Sequence, residues 1–227
     1  MELKYNIRVY RKGDEVGIRS VLREAAFSNV WPAIHVSVGT TTFKYSTALL
    51  VGVVMLASRG CAISCLVSLC VPFVVVCLAQ CVVAVYYVYG PPLFDLNNIS
   101  GNYQSCSNTN FWVAETYPAC EKIIGTVAVV STLRGMAHSS EVAYIRRMAV
   151  LKSCRRNGVA KRLLETAVHF CKDHNYAQIE LITTKVHQAA IQLYLKSGFY
   201  CRRYAPHYYL NRLFVIWTYE LVYTLRT

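Results

Sequence analysis

Arg155-Arg156-Asn157-Gly158-Val159-Ala160 places two cations and a glycine directly ahead of an apolar-periodic segment. The first amides of a helix lack internal partners, and the helix dipole makes that end positive. Cations are unfavourable there unless an anion sits among them, so the stretch reads as a cradle for a diphosphate. Gly158 removes a side chain that would hold a diphosphate off the backbone, and Lys161 adds another full charge. No Lys-Ser/Thr follows, which excludes a nucleotide-triphosphate P-loop, and the leading glycines of a dinucleotide fingerprint are absent. A second reactive side chain, Tyr194, stands ahead of Gly198-Phe199; alone, that run says helix, turn, strand, with Tyr194 as packing. His169, Cys171 and His174 are too closely spaced to share a helix face, so no metal is expected.

Regular elements must carry these residues. Alternation predicts strands over 5–11, 110–117, 122–132, 141–150, 177–184, 199–204 and 212–225, with Gly125 marking a bulge. Helical spacing appears over 13–27, with Asp14 as its N-cap, over 157–173, and over 187–198, with Gly198 as its C-terminal cap. On the 157–173 helix, Val159, Ala160, Leu163, Leu164, Ala167, Val168 and Cys171 share one face, and Lys161, Glu165, His169 and Lys172 the other. Turns are expected at 118–121 and around Gly135. The segment 28–46 has no clear period, and the Asn-, Ser- and Gly-rich stretch 96–110 reads as a loop. Strands alternating with helices predict an α/β (α+β) layer fold on a mixed sheet.

The composition is unusual in one place. Hydrophobic residues make up 55% and charged residues 16% of the 227, away from the soluble average in both directions. The excess lies between Thr47 and Tyr89, where Arg59 is the single charge. The run from Cys61 is long enough to cross a bilayer and ends in Tyr86, Tyr87 and Tyr89, an interfacial aromatic collar. It starts too late for a signal peptide. Five of ten cysteines lie inside this run, and the others lack paired spacing, which predicts thiols in a reducing compartment. The net charge of +12 favours anionic partners, yet no aromatic-interleaved basic ribbon supports nucleic acid.

The arginine loop and the tyrosine segment together, each in its strand–helix or helix–strand setting, resemble the GNAT superfamily of acetyl-CoA-dependent N-acetyltransferases. An apolar insertion after the first helix resembles its camello-like, membrane-anchored branch. The resemblance implies a GNAT-type splayed mixed sheet flanked by helices, with an inserted membrane hairpin. It divides the chain into 1–45 (first strand and helix of the fold), 46–90 (membrane segment) and 91–227 (acetyltransferase domain). It implies acetyl-CoA as co-substrate, without a metal. Arg155, Arg156, Asn157, Gly158, Val159, Ala160 and Lys161 would bind its pyrophosphate. Main-chain groups around Met148, Ala149 and Val150 would bind its pantetheine. Tyr194 would be the general acid, and Glu141 is set beside it as catalytic partner. Glu115, His187 and a water chain remain alternatives for the base.

The resemblance further implies an amine acceptor on a small molecule (a cysteine S-conjugate) or on a protein lysine, and an endoplasmic-reticulum membrane. If the first strand joins the later sheet, the intervening run must cross the bilayer twice, turning near Ser58-Arg59-Gly60, or bend back near Pro72. Lys44 precedes the run and no Lys or Arg lies between Arg59 and Lys122, which predicts a catalytic domain facing the cytosol. The competing expectation is a catalytically inactive, membrane-bound domain of the same fold that serves as an interaction module.

Overall fold

The alternating segments become seven strands in the computed structural model, which describes residues 3–59, 61–117, 122–131, 141–209 and 214–225. They are β1 (Tyr5–Val9), β2 (Asn110–Thr116), β3 (Ile123–Val130), β4 (Val142–Val150), β5 (Gln178–Thr184), β6 (Tyr200–Tyr209) and β7 (Phe214–Thr224). The expected turns at 118–121 and around Gly135 lie outside the described residues. One sheet results, ordered β1-β2-β3-β4-β5-β7-β6. Its neighbours are antiparallel except β4 and β5, which run parallel and are joined through a helix. A parallel pair needs such a crossover.

The chain divides into two compact units, Met1–Ala25 with Leu93–Thr227, and Ala26–Pro92. The helical unit thus begins at Ala26 and ends at Pro92.

In the first unit, every residue of β3 is buried, so this strand forms the centre of the core. Helix α6 (Val159–Asp173) covers it with the apolar face expected from its spacing: Val159, Leu163, Leu164, Ala167 and Cys171 are buried. Gly125 permits the close approach. A Cβ there would stand 2.9 Å from Leu163 Cδ1 and 3.2 Å from Val159 Cγ1. The expected bulge is adjacent, since Ala114 pairs with Gly125 while Glu115 pairs with Ile123. Helix α1 (Glu15–Ser28) starts after Asp14 as expected. The Asp14 carboxylate accepts from the Arg11 amide and from the Arg8 guanidinium, which also grips Glu115 on β2. The stretch from 96 onward is not a plain loop. A 3-10 segment (Pro91–Asn98) leads into α5 (Ile99–Tyr103). Leu93, Leu96, Ile99 and Tyr103 recur three or four apart and are buried, a period that outweighs the loop-forming composition.

The second unit is helical, with α2 (Val30–Val38), α3 (Thr41–Ala57) and α4 (Ala62–Tyr89). Helices α3 and α4 are separate, and Arg59 between them takes a left-handed φ of 48°. Helix α4 continues through Pro72, so the chain does not bend back there. Gln80 on α4 donates to the Ser37 hydroxyl on α2 at 3.0 Å.

Candidate active site

β4 and β5 pair over one short stretch and then part. Their ladder holds only from Val142–Gln178 to Tyr144–Glu180. Beyond it, the pairing with β5 does not continue through Ile145–Val150. β4 also contains one residue too many for its other neighbour. Thr126 pairs with Ala149 but Ala128 with Arg146, which sets Arg147 and Met148 together against Val127. Such a bulge bends and twists a strand. Arg147 takes a left-handed φ of 55° within it.

β4 runs through a short 3-10 turn (Lys152–Cys154) into the arginine loop. Arg155 Nε donates to the Val150 carbonyl at 3.1 Å. Arg156 has a φ of 67° and Gly158 one of 76°, both left-handed. Asn157 Nδ2 donates to the Cys154 and Arg155 carbonyls, closing the turn from within. The nearest atom to a Cβ built on Gly158 is the Tyr5 hydroxyl at 3.7 Å, an ordinary contact, so glycine is required here for its φ. Arg155, Arg156, Asn157 and Gly158 are exposed, whereas Val159 is buried under the helix. Ala160 is half-buried, and Lys161 is exposed beside Glu165, 3.7 Å away. The loop thus presents the first amides of α6, flanked by cations, to solvent.

Tyr194 enters from the other side. It sits on α7 (Gln188–Lys196), whose C-terminus is closed by Gly198 at a φ of 94°. The Phe199 amide reaches back to the Tyr194 carbonyl at 3.1 Å, a Schellman closure. The Phe199 ring packs 5.7 Å from the Tyr194 ring. This fixes the tyrosine against β4, with its hydroxyl 3.2 Å from Met148 Sδ. Burial pushes the phenol pKa well above its ordinary value, so it remains a proton donor at neutral pH.

The base candidates fare differently. Glu141 lies at the opposite end of β4, exposed, with its carbonyl accepting from Ala177 and Gln178. It stands seven positions from Met148 along the chain, roughly 20 Å at the usual strand rise. The structure therefore does not bring Glu141 to Tyr194, because it precedes the strand whose far end meets the phenol. Glu115 on β2 is engaged by Arg8 at 2.7 and 2.9 Å, which holds its carboxyl below the usual range and makes it a weak base. His187, at the start of α7, approaches the Thr184 and Thr183 hydroxyls at 3.1 and 3.3 Å. Burial, aided by the charge of Arg155, lowers its pKa and keeps the imidazole neutral. Sequence reasoning missed Asp95, which holds the bulged Arg147 through a two-point ion pair. No local pattern signals a pair so distant in the chain.

Comparison with known proteins places this architecture. A model of the acetyltransferase (GNAT) family matches residues 84–199. N-acetyltransferase 8 of Rattus norvegicus is 30% identical over 105 residues, covering 46% of each chain. The "Probable N-acetyltransferase camello" of Xenopus laevis is 27% identical over 105 residues, 46% of this chain and 45% of its own. The chain spans about half the length of the curated relatives it matches. Among solved structures, a GCN5-related N-acetyltransferase from Kribbella flavida shares the fold at a TM-score of 0.57 and 13% identity, covering 97% of this chain and 98% of its own. With a splayed β4–β5 pair, a glycine-opened helix end and more than half its length matched, the chain belongs to the acetyltransferase (GNAT) family.

Proposed function

We propose that this protein is a membrane-anchored N-acetyltransferase that moves an acetyl group from acetyl-CoA to a primary amine on a cysteine S-conjugate or a protein lysine. The observation that carries the reading is that β4, where it leaves β5, leads directly into a cationic helix start and carries Met148 against the buried Tyr194 phenol. These features suit an extended diphosphate ester. Left-handed Gly158 leaves the backbone approachable, and the edge of β4 offers donors and acceptors in a row.

Acetyl-CoA supplies a thioester whose carbonyl accepts an amine and whose sulfur leaves. The amides opening α6, with Arg155, Arg156 and Lys161, hold the diphosphate. Met148, Ala149 and Val150 pair their main chain with the pantetheine as an added strand. One of their amides steadies the oxygen as charge builds on it. A carbon–nitrogen bond forms, the carbon–sulfur bond breaks, and Tyr194 gives its proton to the departing sulfur. His187, neutral and at the start of α7, takes the amine proton directly or through water. Glu141 has no part in this scheme.

Apolar surface supports the anchor. The helical run that contains α4 has a window of mean hydropathy 2.6 of which only 6% is buried, unlike a core helix. Because β1 pairs with β2, both ends of the Ala26–Pro92 unit lie on one side of a bilayer, which calls for a hairpin. The flanking charges favour the cytosolic side, and the family resemblance favours the endoplasmic reticulum.

Charge reversal at the loop tests the reading. In detergent-solubilised protein, Arg155→Glu with Arg156→Glu should weaken coenzyme A binding at least a hundredfold by calorimetry, with the circular dichroism unchanged. Undiminished binding by the folded double variant overturns the proposal. Wild-type binding without acetyl transfer to any of an amine panel would favour the interaction-module alternative.

A further inference from the structure

We infer that Arg147, clamped by Asp95, is a positioning residue that holds the β4 edge in its open, coenzyme-accepting shape. The inference rests on the coenzyme reading above. Arg147 adopts a left-handed φ of 55° in mid-strand. A non-glycine residue persists there only when its surroundings over-determine it. Glycine would take the same φ without strain, yet this position carries an arginine whose side chain is 6% exposed.

Both its main chain and its side chain are anchored. Its carbonyl accepts from the Thr126 hydroxyl at 2.6 Å, and Thr126 is fully buried. Its guanidinium meets Asp95 in a fork, Nε to Oδ2 at 2.9 Å and Nη2 to Oδ1 at 2.6 Å. Asp95 is held in turn: the Tyr103 hydroxyl donates to its carboxylate, and Asn102 Nδ2 donates to its carbonyl at 2.7 Å. Tyr103 is wedged edge-on against Phe111 of β2, with centroids 5.2 Å apart. A buried ion pair adds little net stability over a well-packed apolar pair, but it fixes geometry tightly. The residue it fixes here is next to Met148, whose sulfur touches Tyr194. Loosening the clamp should let the bulge relax, shifting the edge amides and the contact with the phenol together.

Amide hydrogen exchange and coenzyme A calorimetry on the detergent-solubilised chain test this. In Asp95→Asn and Arg147→Lys, amides of residues 145–150 should exchange at least tenfold faster while those of β2 do not change. Coenzyme A affinity should fall about tenfold. Arg147→Gly, which relieves the strain but loses the fork, should behave like Asp95→Asn. If Asp95→Asn does not fold, the two Arg147 variants decide. Exchange and affinity within twofold of wild type in the folded variants, or an Arg147→Gly protein that matches wild type, overturn the inference. Wild-type protein unable to bind coenzyme A would count against the function proposed above, and the exchange rates alone would then decide the clamp.

Discussion

At the scale of single residues, the proposed mechanism gives each side chain one role. Tyr194 is buried, its phenol held protonated by desolvation. Tyr194→Phe keeps the packing and removes the proton. It should lower kcat roughly a hundredfold, within the usual range for a general acid, and leave the KM for acetyl-CoA within about twofold. His187 gives a pH signature. Its folded pKa lies below the ordinary histidine value, so below about pH 6.5 the unfolded chain takes up a proton that the folded one resists. Stability from this group is therefore present above that pH and lost as the pH falls. Thermal melts between pH 7 and pH 5 should show the loss, and His187→Gln should flatten the profile. The turn into α6 and the Gly198 cap behind Tyr194 were legible in the sequence because their signals are local. The sequence did not show that Glu141 and Met148 fall at opposite ends of β4 from each other, since that depends on where β4 leaves β5.

At the scale of elements, two glycines do separable work. Gly198 sets the cap that aims Tyr194, through its left-handed φ. Gly125 lets α6 close on β3, with less than 3 Å available to a Cβ. Gly125→Ala should cost about 1–3 kcal/mol, as overpacking does, read from the urea midpoint. Coenzyme binding should weaken alongside, because α6 carries the diphosphate amides. The strands and the α6 and α7 helices were readable because their period matches their burial. Helix α5 was not, since Asn98, Ser100, Gly101 and Asn102 mask the apolar spacing of Leu93, Leu96, Ile99 and Tyr103. The register of β4 was not readable either. A bulge arises from pairing with β3 and from the Asp95 clamp, neither of which is written in β4 itself.

At the scale of the whole molecule, the sheet is closed by a strand that precedes the apolar unit and one that follows it. Tags at the two termini should then be digested together by protease added to sealed, cytosol-out microsomes, while a reporter placed beside Arg59 survives. Protection of one terminus alone would contradict the hairpin. The pairing also has a temporal side. Arg8 and Glu115, 107 residues apart, meet across β1 and β2. On the membrane-anchored reading proposed above, the first strand would leave the ribosome long before its mate, and the apolar helices would enter the bilayer in between. The nascent N-terminal arm would then wait with its hydrogen-bonding rim bare. It is in that interval that a chaperone would have most to shield.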